Sequence, residues 1–177
     1  MKISTRGRYA VMAMADIAKQ QIDADTSAAV GLSPVVPMLV PPVSLAAVST
    51  RQEIPLPYLE QIFQDLRKAG LVQSVRGPKG GYKLAKPANL TFIGDIISSV
   101  DEQVEVTRCA GTNVCLSKNA RCLTHDLWAE LESQIYSFLN RVSLADVIGG
   151  KVTLTGPINL DANTPSIKGD AFGEGIS

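Results

Sequence analysis

The chain has 177 residues, 45% of them hydrophobic and 19% charged, which is ample for one compact core. Its three cysteines cannot all pair, and no secretory signal accompanies them, so a disulfide framework is a poor reading. The net charge of zero hides a split: residues 1–90 hold 11 Lys/Arg and 6 Asp/Glu, a net +5, and residues 91–177 hold 6 and 11, a net −5.

The opening MKISTRGRYAVMAMADIAKQ has a basic head and a short apolar run that mimic a signal peptide. Asp16 and the helical spacing of Tyr9, Ala13 and Ile17 argue instead for a first helix, capped by Ser4 or Thr5 and running to about Gln20. The stretch 23–43 is rich in Pro, Ala, Val and Ser without period and reads as an inserted loop. Ser27 to Val48 carries no charge, but Pro34, Pro37, Pro41 and Pro42 would break a membrane span. The chain is therefore expected to be cytoplasmic, with no membrane partner.

Ser44 then caps a short helix, LAAVSTRQ, and Glu53-Ile54-Pro55 makes a turn. Pro57 suits the first position of a further helix, in which Leu59, Ile62, Phe63 and Leu66 recur at i, i+3, i+4 and i+7 and which Gly70 ends. Glu60, Gln61, Gln64, Arg67 and Lys68 fall on the opposite face. LVQSVR and YKLAK flank Gly77-Pro78-Lys79-Gly80-Gly81 and read as two strands joined by a basic, Gly-rich turn. Thr91 caps a helix through Ile97. After the cysteine segment, Trp128, Leu131, Ile135, Phe138 and Val142 stripe a helix from about Thr124 to Asn140. From Gly149 onward periodicity is lost and a flexible tail is expected.

Two short helices joined by a tight turn and followed by a basic hairpin is the order of a winged helix-turn-helix. The second helix of such a unit enters the major groove of duplex DNA. Tyr58, Glu60, Gln61 and Gln64 are the candidates to face base edges; a Glu can accept from cytosine and a Gln can pair with adenine. Arg76, Gly77 and Lys79 at the wing tip suit a minor groove or phosphates, and Gly80 and Gly81 permit close backbone approach. GPKGG lacks the GK[ST] that a phosphate loop requires.

The whole stock of soft metal donors lies within seventeen residues: Cys109, Cys115, Cys122 and His125, spaced C-x5-C-x6-C-x2-H. Structural zinc sites favour paired C-x2-4-C hooks, which are missing here. Gaps of five and six residues suit loops around a larger object. A two-iron cluster needs four terminal ligands; three cysteines and His125, one helical turn after Cys122, supply them. A [2Fe-2S] core held this way carries one negative charge fewer than its all-cysteine form. Imidazole ligation raises its potential and makes the site sensitive to acid, which suits a sensor better than an electron carrier. Arg108 and Arg121 sit beside two of the cysteines and would offset thiolate charge.

RGRYAVMAMADIA, PYLEQIFQDLRKAGLVQSVRGPKGGY and RCLTHDLWAEL through FLNRVSL together resemble the IscR family of iron–sulfur cluster regulators, within a wider family of winged-helix repressors. The likeness runs from about Lys2 to Ile148, apart from 23–43. It implies a mainly α fold with a small β-hairpin wing: a winged helix-turn-helix over 1–100, a cluster-binding loop over 101–125 and a long dimerisation helix over 124–148. It also implies a homodimer that binds promoter DNA through Glu60, Gln61 and Arg76. A [2Fe-2S] cluster on Cys109, Cys115, Cys122 and His125 would come from the iron–sulfur assembly machinery, whose genes are the expected targets of repression. The alternative is a relative responding to nitric oxide or iron through a different cluster; an enzyme is not expected, since no second cofactor motif or catalytic base stands outside the cysteine segment. Three features depart from the family. The second cysteine gap is six residues where five is usual, Pro55 and Pro57 stand where Ser is common, and 23–43 is inserted.

Overall fold

The computed structural model describes residues 4–29, 41–100 and 122–152. Helix α1 (Thr5–Ala29) begins at Ser4, whose hydroxyl accepts from the Gly7 N–H at 3.0 Å. Its stripe of Ala10, Ala13, Met14, Ile17 and Ala18 is fully buried and forms the central post of the core. The apolar spacing predicts an end near Gln20, but the helix continues to Ala29. The segment that follows Gln20 contains neither Gly nor Pro before Gly31 and Pro34, so nothing breaks the backbone pattern there. The first residues of the expected 23–43 loop are therefore helical, and residues 30–40 lie outside the described ones.

Helix α2 (Leu45–Gln52) is capped as expected, with the Ser44 hydroxyl accepting from the Ala47 N–H at 3.2 Å. It ends at Glu53 in the left-handed region, φ 55°, whose N–H returns to the Ser49 carbonyl. Helix α3 (Leu56–Lys68) starts from Pro55 and carries Pro57 in its first turn, where a missing N–H costs nothing. Leu59, Ile62, Phe63 and Leu66 are buried along one face. Gly70 stops the helix at φ 72°, and the Leu71 N–H donates back to the Leu66 carbonyl at 3.0 Å.

Strands β1 (Val72–Val75) and β2 (Gly81–Leu84) pair antiparallel, with Val72 opposite Leu84 and Val75 opposite Gly81. Val43 extends this hairpin: its N–H donates to the Tyr82 carbonyl at 2.9 Å and its carbonyl accepts from the Tyr82 N–H at 2.8 Å. Gly81 makes that approach possible, since a Cβ there would lie 2.3 Å from the Val43 carbonyl oxygen.

A 3-10 turn (Ala88–Leu90) leads to α4 (Ile93–Val100). Thr91 does not cap it as predicted. Its buried hydroxyl donates to the Pro87 carbonyl at 3.1 Å instead, which closes the preceding turn. Helix α5 (His125–Leu139) matches the expected span to within a residue. The single helix predicted over 124–148 is interrupted after it: Ser143 starts a separate helix, α6 (Leu144–Ile148). The Ser143 hydroxyl accepts from the Asp146 N–H at 3.2 Å while the Asp146 carboxylate accepts from the Ser143 N–H at 2.9 Å. This reciprocal cap nucleates a new helix rather than continuing the old one.

Helix α1 packs against α2, α3, α4, α6 and β2, and α5 leaves the core through α4. The architecture is mainly α with a two-stranded wing, in the order of a winged helix-turn-helix. No helix among the described residues is long and apolar enough to cross a membrane.

Candidate nucleic-acid interface and ligand cluster

Burial of Leu59, Ile62, Phe63 and Leu66 turns the other side of α3 outward, and Glu60, Gln61, Gln64, Arg67 and Lys68 are all exposed, as the periodicity requires. Tyr58, the remaining candidate, is less open. It is half-buried, its ring edge-on to Tyr9 of α1 with centroids 5.7 Å apart, which leaves it as part of the α1–α3 contact. Phe63 meets Tyr82 edge-on at 4.9 Å and ties α3 to strand β2 of the wing. At the wing tip Arg76, Gly77 and Lys79 are exposed, and the Gly80 N–H donates to the Gly77 carbonyl at 2.9 Å. Gly77 takes φ 119°, which a side chain would resist. Gly81 serves the internal approach to Val43 instead of an external one.

Two polar contacts that the sequence reading did not find join these elements to α1. Asp16, buried on α1, accepts from Arg51 Nε at 3.0 Å and from an Arg51 terminal nitrogen at 2.6 Å, and also from Gln52 Nε2 at 3.2 Å. The Asp16 hydrogen bond holds the Arg51 guanidinium above its ordinary value, against the opposing effect of burial. The available signal was a lone acid at a core position of an amphipathic helix. The second contact joins Arg6 of α1 to Asp65 of α3, whose other oxygen accepts from Lys68 Nζ at 2.9 Å. That Lys68 hydrogen bond is the main reason the Asp65 carboxyl sits below the ordinary range, with the charges of Lys68 and Arg6 adding to it.

Of the four predicted cluster ligands, the structure describes Cys122 and His125; Cys109 and Cys115 lie outside the described residues. The His125 N–H donates to the Cys122 carbonyl at 3.1 Å, so the two residues form one turn that leads into α5. His125 is the first residue of that helix and only 5% exposed. Thr124 links the site to the helix face: its hydroxyl lies 3.7 Å from the Cys122 sulfur and accepts from the Trp128 indole N–H at 3.2 Å. A thiol and an imidazole at a helix N-terminus suit an anionic thiolate-ligated group, because the unpaired N–H groups and the helix dipole favour negative charge there. The described part of the donor set thus fits the predicted cofactor. Beyond it, Leu127, Trp128 and Leu131 of α5 are exposed at 62%, 43% and 38%, whereas Ile135, Phe138 and Val142 of the predicted stripe are partly buried against the core, so only the first turns of the helix present an open apolar face among the described residues.

Residues 39–150 match the Rrf2 family, described as "Iron-dependent Transcriptional regulator". The chain is 46% identical over 151 residues to the HTH-type transcriptional regulator IscR of Yersinia pseudotuberculosis, a match that covers 85% of this chain and 81% of that protein. Among solved structures it is similar to T. potens IscR, with TM-score 0.62 and 32% identity over 85% of this chain and 88% of that one. It is also similar to CymR (YrzC), the global cysteine regulator of B. subtilis, with TM-score 0.64 and 26% identity over 85% and 98%.

Proposed function

This chain belongs to the Rrf2 family and is a DNA-binding transcriptional regulator of the IscR type, and from that premise we propose that it senses iron–sulfur cluster supply. Cys109, Cys115, Cys122 and His125 hold a [2Fe-2S] cluster delivered by the assembly machinery. Two copies pair through the exposed stripe of α5. The face of α3 bearing Glu60, Gln61 and Gln64 reads the operator, flanked by Arg76, Gly77 and Lys79 of the wing. The regulated genes include those for cluster assembly, which gives negative feedback.

The observation that carries this reading is the head of α5. Two ligand-type side chains, Cys122 and His125, open the helix whose next turns expose Leu127, Trp128 and Leu131. Ligand chemistry and an uncovered apolar face therefore share one rigid element. The cluster, when bound, supplies a charged, redox-active group that joins this helix to the preceding segment. The chain's own residues do the rest. The His125 N–H ties Cys122 to the first turn of α5, and the Thr124 hydroxyl bridges Cys122 to Trp128, which gives a change at the thiol a route to the apolar face. The relatives are named transcriptional regulators, and their names point to no catalysed reaction.

Anaerobic purification followed by absorption and Mössbauer spectroscopy tests the cofactor. A two-iron signature is expected, and a colourless, zinc-loaded protein would overturn the reading. Cys115→Ala should lose the cluster, keep the winged-helix fold and change operator affinity or promoter choice. Unchanged binding at every promoter tested would show that the cluster is not the switch.

A further inference from the structure

The flank of α3 next to α1 carries Tyr58 and Asp65, with the exposed Gln61 and Lys68 each one helical turn from Asp65. Its contacts with α1 come from both ends: Tyr58 meets Tyr9, and Asp65 pairs with Arg6. Asp65 is thus a carboxylate set one turn beyond Gln61, on a helix whose remaining exposed end is basic, with Arg67 and Lys68. It occupies two cations at once. Lys68 is 73% exposed on its side chain and Arg6 37%, so both heads stand at the surface where a phosphate could take them.

Affinity for DNA of arbitrary sequence scales with the number of phosphates that cations neutralise, whereas preference for one sequence comes from base-edge contacts. A carboxylate that engages two cations and itself repels phosphate subtracts from the first term and leaves the second intact. We infer that Asp65 is a specificity-determining residue for DNA binding: by engaging Arg6 and Lys68 beside the reading helix, it suppresses sequence-independent attachment and widens the gap between operator and bulk DNA. The pairs are surface ion pairs, weak enough to exchange for phosphate when Gln61 and Glu60 find their bases and the helix seats closely. This role rests on α3 being the reading helix.

The test uses the full chain with Asp65→Asn, an operator duplex selected from a random library with the native protein, and a scrambled duplex of the same length. Affinities are measured by fluorescence anisotropy from 50 to 200 mM salt. Asp65→Asn should bind the scrambled duplex more tightly than native, with a salt slope steeper by about 0.9 to 1.8 for one or two phosphates gained. Its advantage should then shrink by about threefold to twelvefold across that salt range, and the operator-to-scrambled ratio should fall. Adding Arg6→Gln should remove part of the extra slope. Scrambled-duplex affinity and slope unchanged in a normally melting variant would overturn the inference, as would an equal loss on both duplexes. Gln61→Ala separates this from the underlying reading. If it relaxes operator preference while Asp65→Asn does nothing, only the role of Asp65 falls; if it leaves preference untouched, the assignment of α3 falls with it.

Discussion

Arg51→Ala should destabilise the fold more than Asp16→Ala, although both remove the same ion pair. The Asp16 side chain is 5% exposed and that of Arg51 36% exposed. Removing Arg51 strands a carboxylate in the interior with Gln52 as its remaining polar partner, a change that costs about 3–5 kcal/mol. Removing Asp16 instead leaves a guanidinium that water can reach, so the loss is confined to the charge-assisted hydrogen bonds and a small gap where the carboxylate stood, about 1.5–3 kcal/mol. For a chain of this size each kcal/mol moves the melting temperature by roughly 2–4 °C, so Arg51→Ala should melt about 6–20 °C lower. Removing both partners should cost less than Arg51→Ala alone, because no buried charge remains. The sign of the pH dependence is also set. Arg51 is held above its ordinary value, so its contribution is complete below that value and is lost only as pH rises through the still higher folded one. The deficit of Arg51→Ala should therefore be flat from about pH 6 to 9. Urea unfolding followed by circular dichroism measures all three variants, with the slope m checked for constancy. Arg51→Ala equal to or milder than Asp16→Ala would refute the claim that Asp16 is desolvated and held by this pair.

Glu53 caps α2 at φ 55°, a conformation costly for any residue with a Cβ, and its side chain is exposed. Glu53→Gly should thus raise stability by about 0.5–1 kcal/mol in the same unfolding assay, and a loss would show that the left-handed turn is not strained. Gly81→Ala would place a Cβ 2.3 Å from the Val43 carbonyl oxygen and should break the Val43–Tyr82 bridge. Faster hydrogen exchange at the Tyr82 amide and weaker duplex binding are expected, and an unchanged amide would contradict the close approach. Ser143→Ala removes the hydroxyl from the α6 cap and should cost about 1 kcal/mol. Hydrogen bonds from Ser143 are the main cause of the lowered Asp146 carboxyl, so its contribution is present above the ordinary carboxylate range and lost as pH falls through the folded value. Asp146→Asn should accordingly flatten the acid limb of the stability curve below about pH 4, and an unchanged limb would exclude Asp146 from it.

What could be read in the sequence was local. The spacing of Leu59, Ile62, Phe63 and Leu66, the Ser44 cap and the Gly70 stop define α3 and its surroundings because each acts within one or two turns. The cysteines and histidine could be singled out by counting, since donor chemistry belongs to residue type, while their mutual geometry does not. The features that escaped are non-local or ambiguous. Asp16 and Arg51 are 35 residues apart, and each alone reads as a solvated charge. Val43 joins the wing through a single residue, too short to show a period. The residues of α1 after Gln20 mix Ala with Asp, Thr and Ser, which favour helix and loop about equally, so the sequence carries no local marker of where this helix ends. The break at Ser143 needed the Ser–Asp reciprocity to be weighed against an apolar stripe that continues to Val142.

These non-local contacts explain how a change at the head of α5 has to travel. The far end of α5 is joined to the core by backbone hydrogen bonds: the Ile93 N–H to the Val142 carbonyl at 2.9 Å, and the Leu144 N–H to the Thr91 carbonyl at 2.9 Å. Beyond that junction, α4 and α6 both pack on α1. Helix α1 in turn holds α2 through Asp16–Arg51 and α3 through Tyr9–Tyr58 and the buried face of α3. A helix packed inside such a core does not shift alone, since moving α3 singly would break the Tyr9–Tyr58 contact, the packing of Phe63 on Tyr82 and the burial of Leu59, Ile62 and Leu66. Small displacements of α5 therefore carry the reading helix, wing and post as one body. In the proposed dimer the variable that can follow cluster occupancy is the placement of one such body relative to the other, which sets the spacing of two reading helices along the duplex.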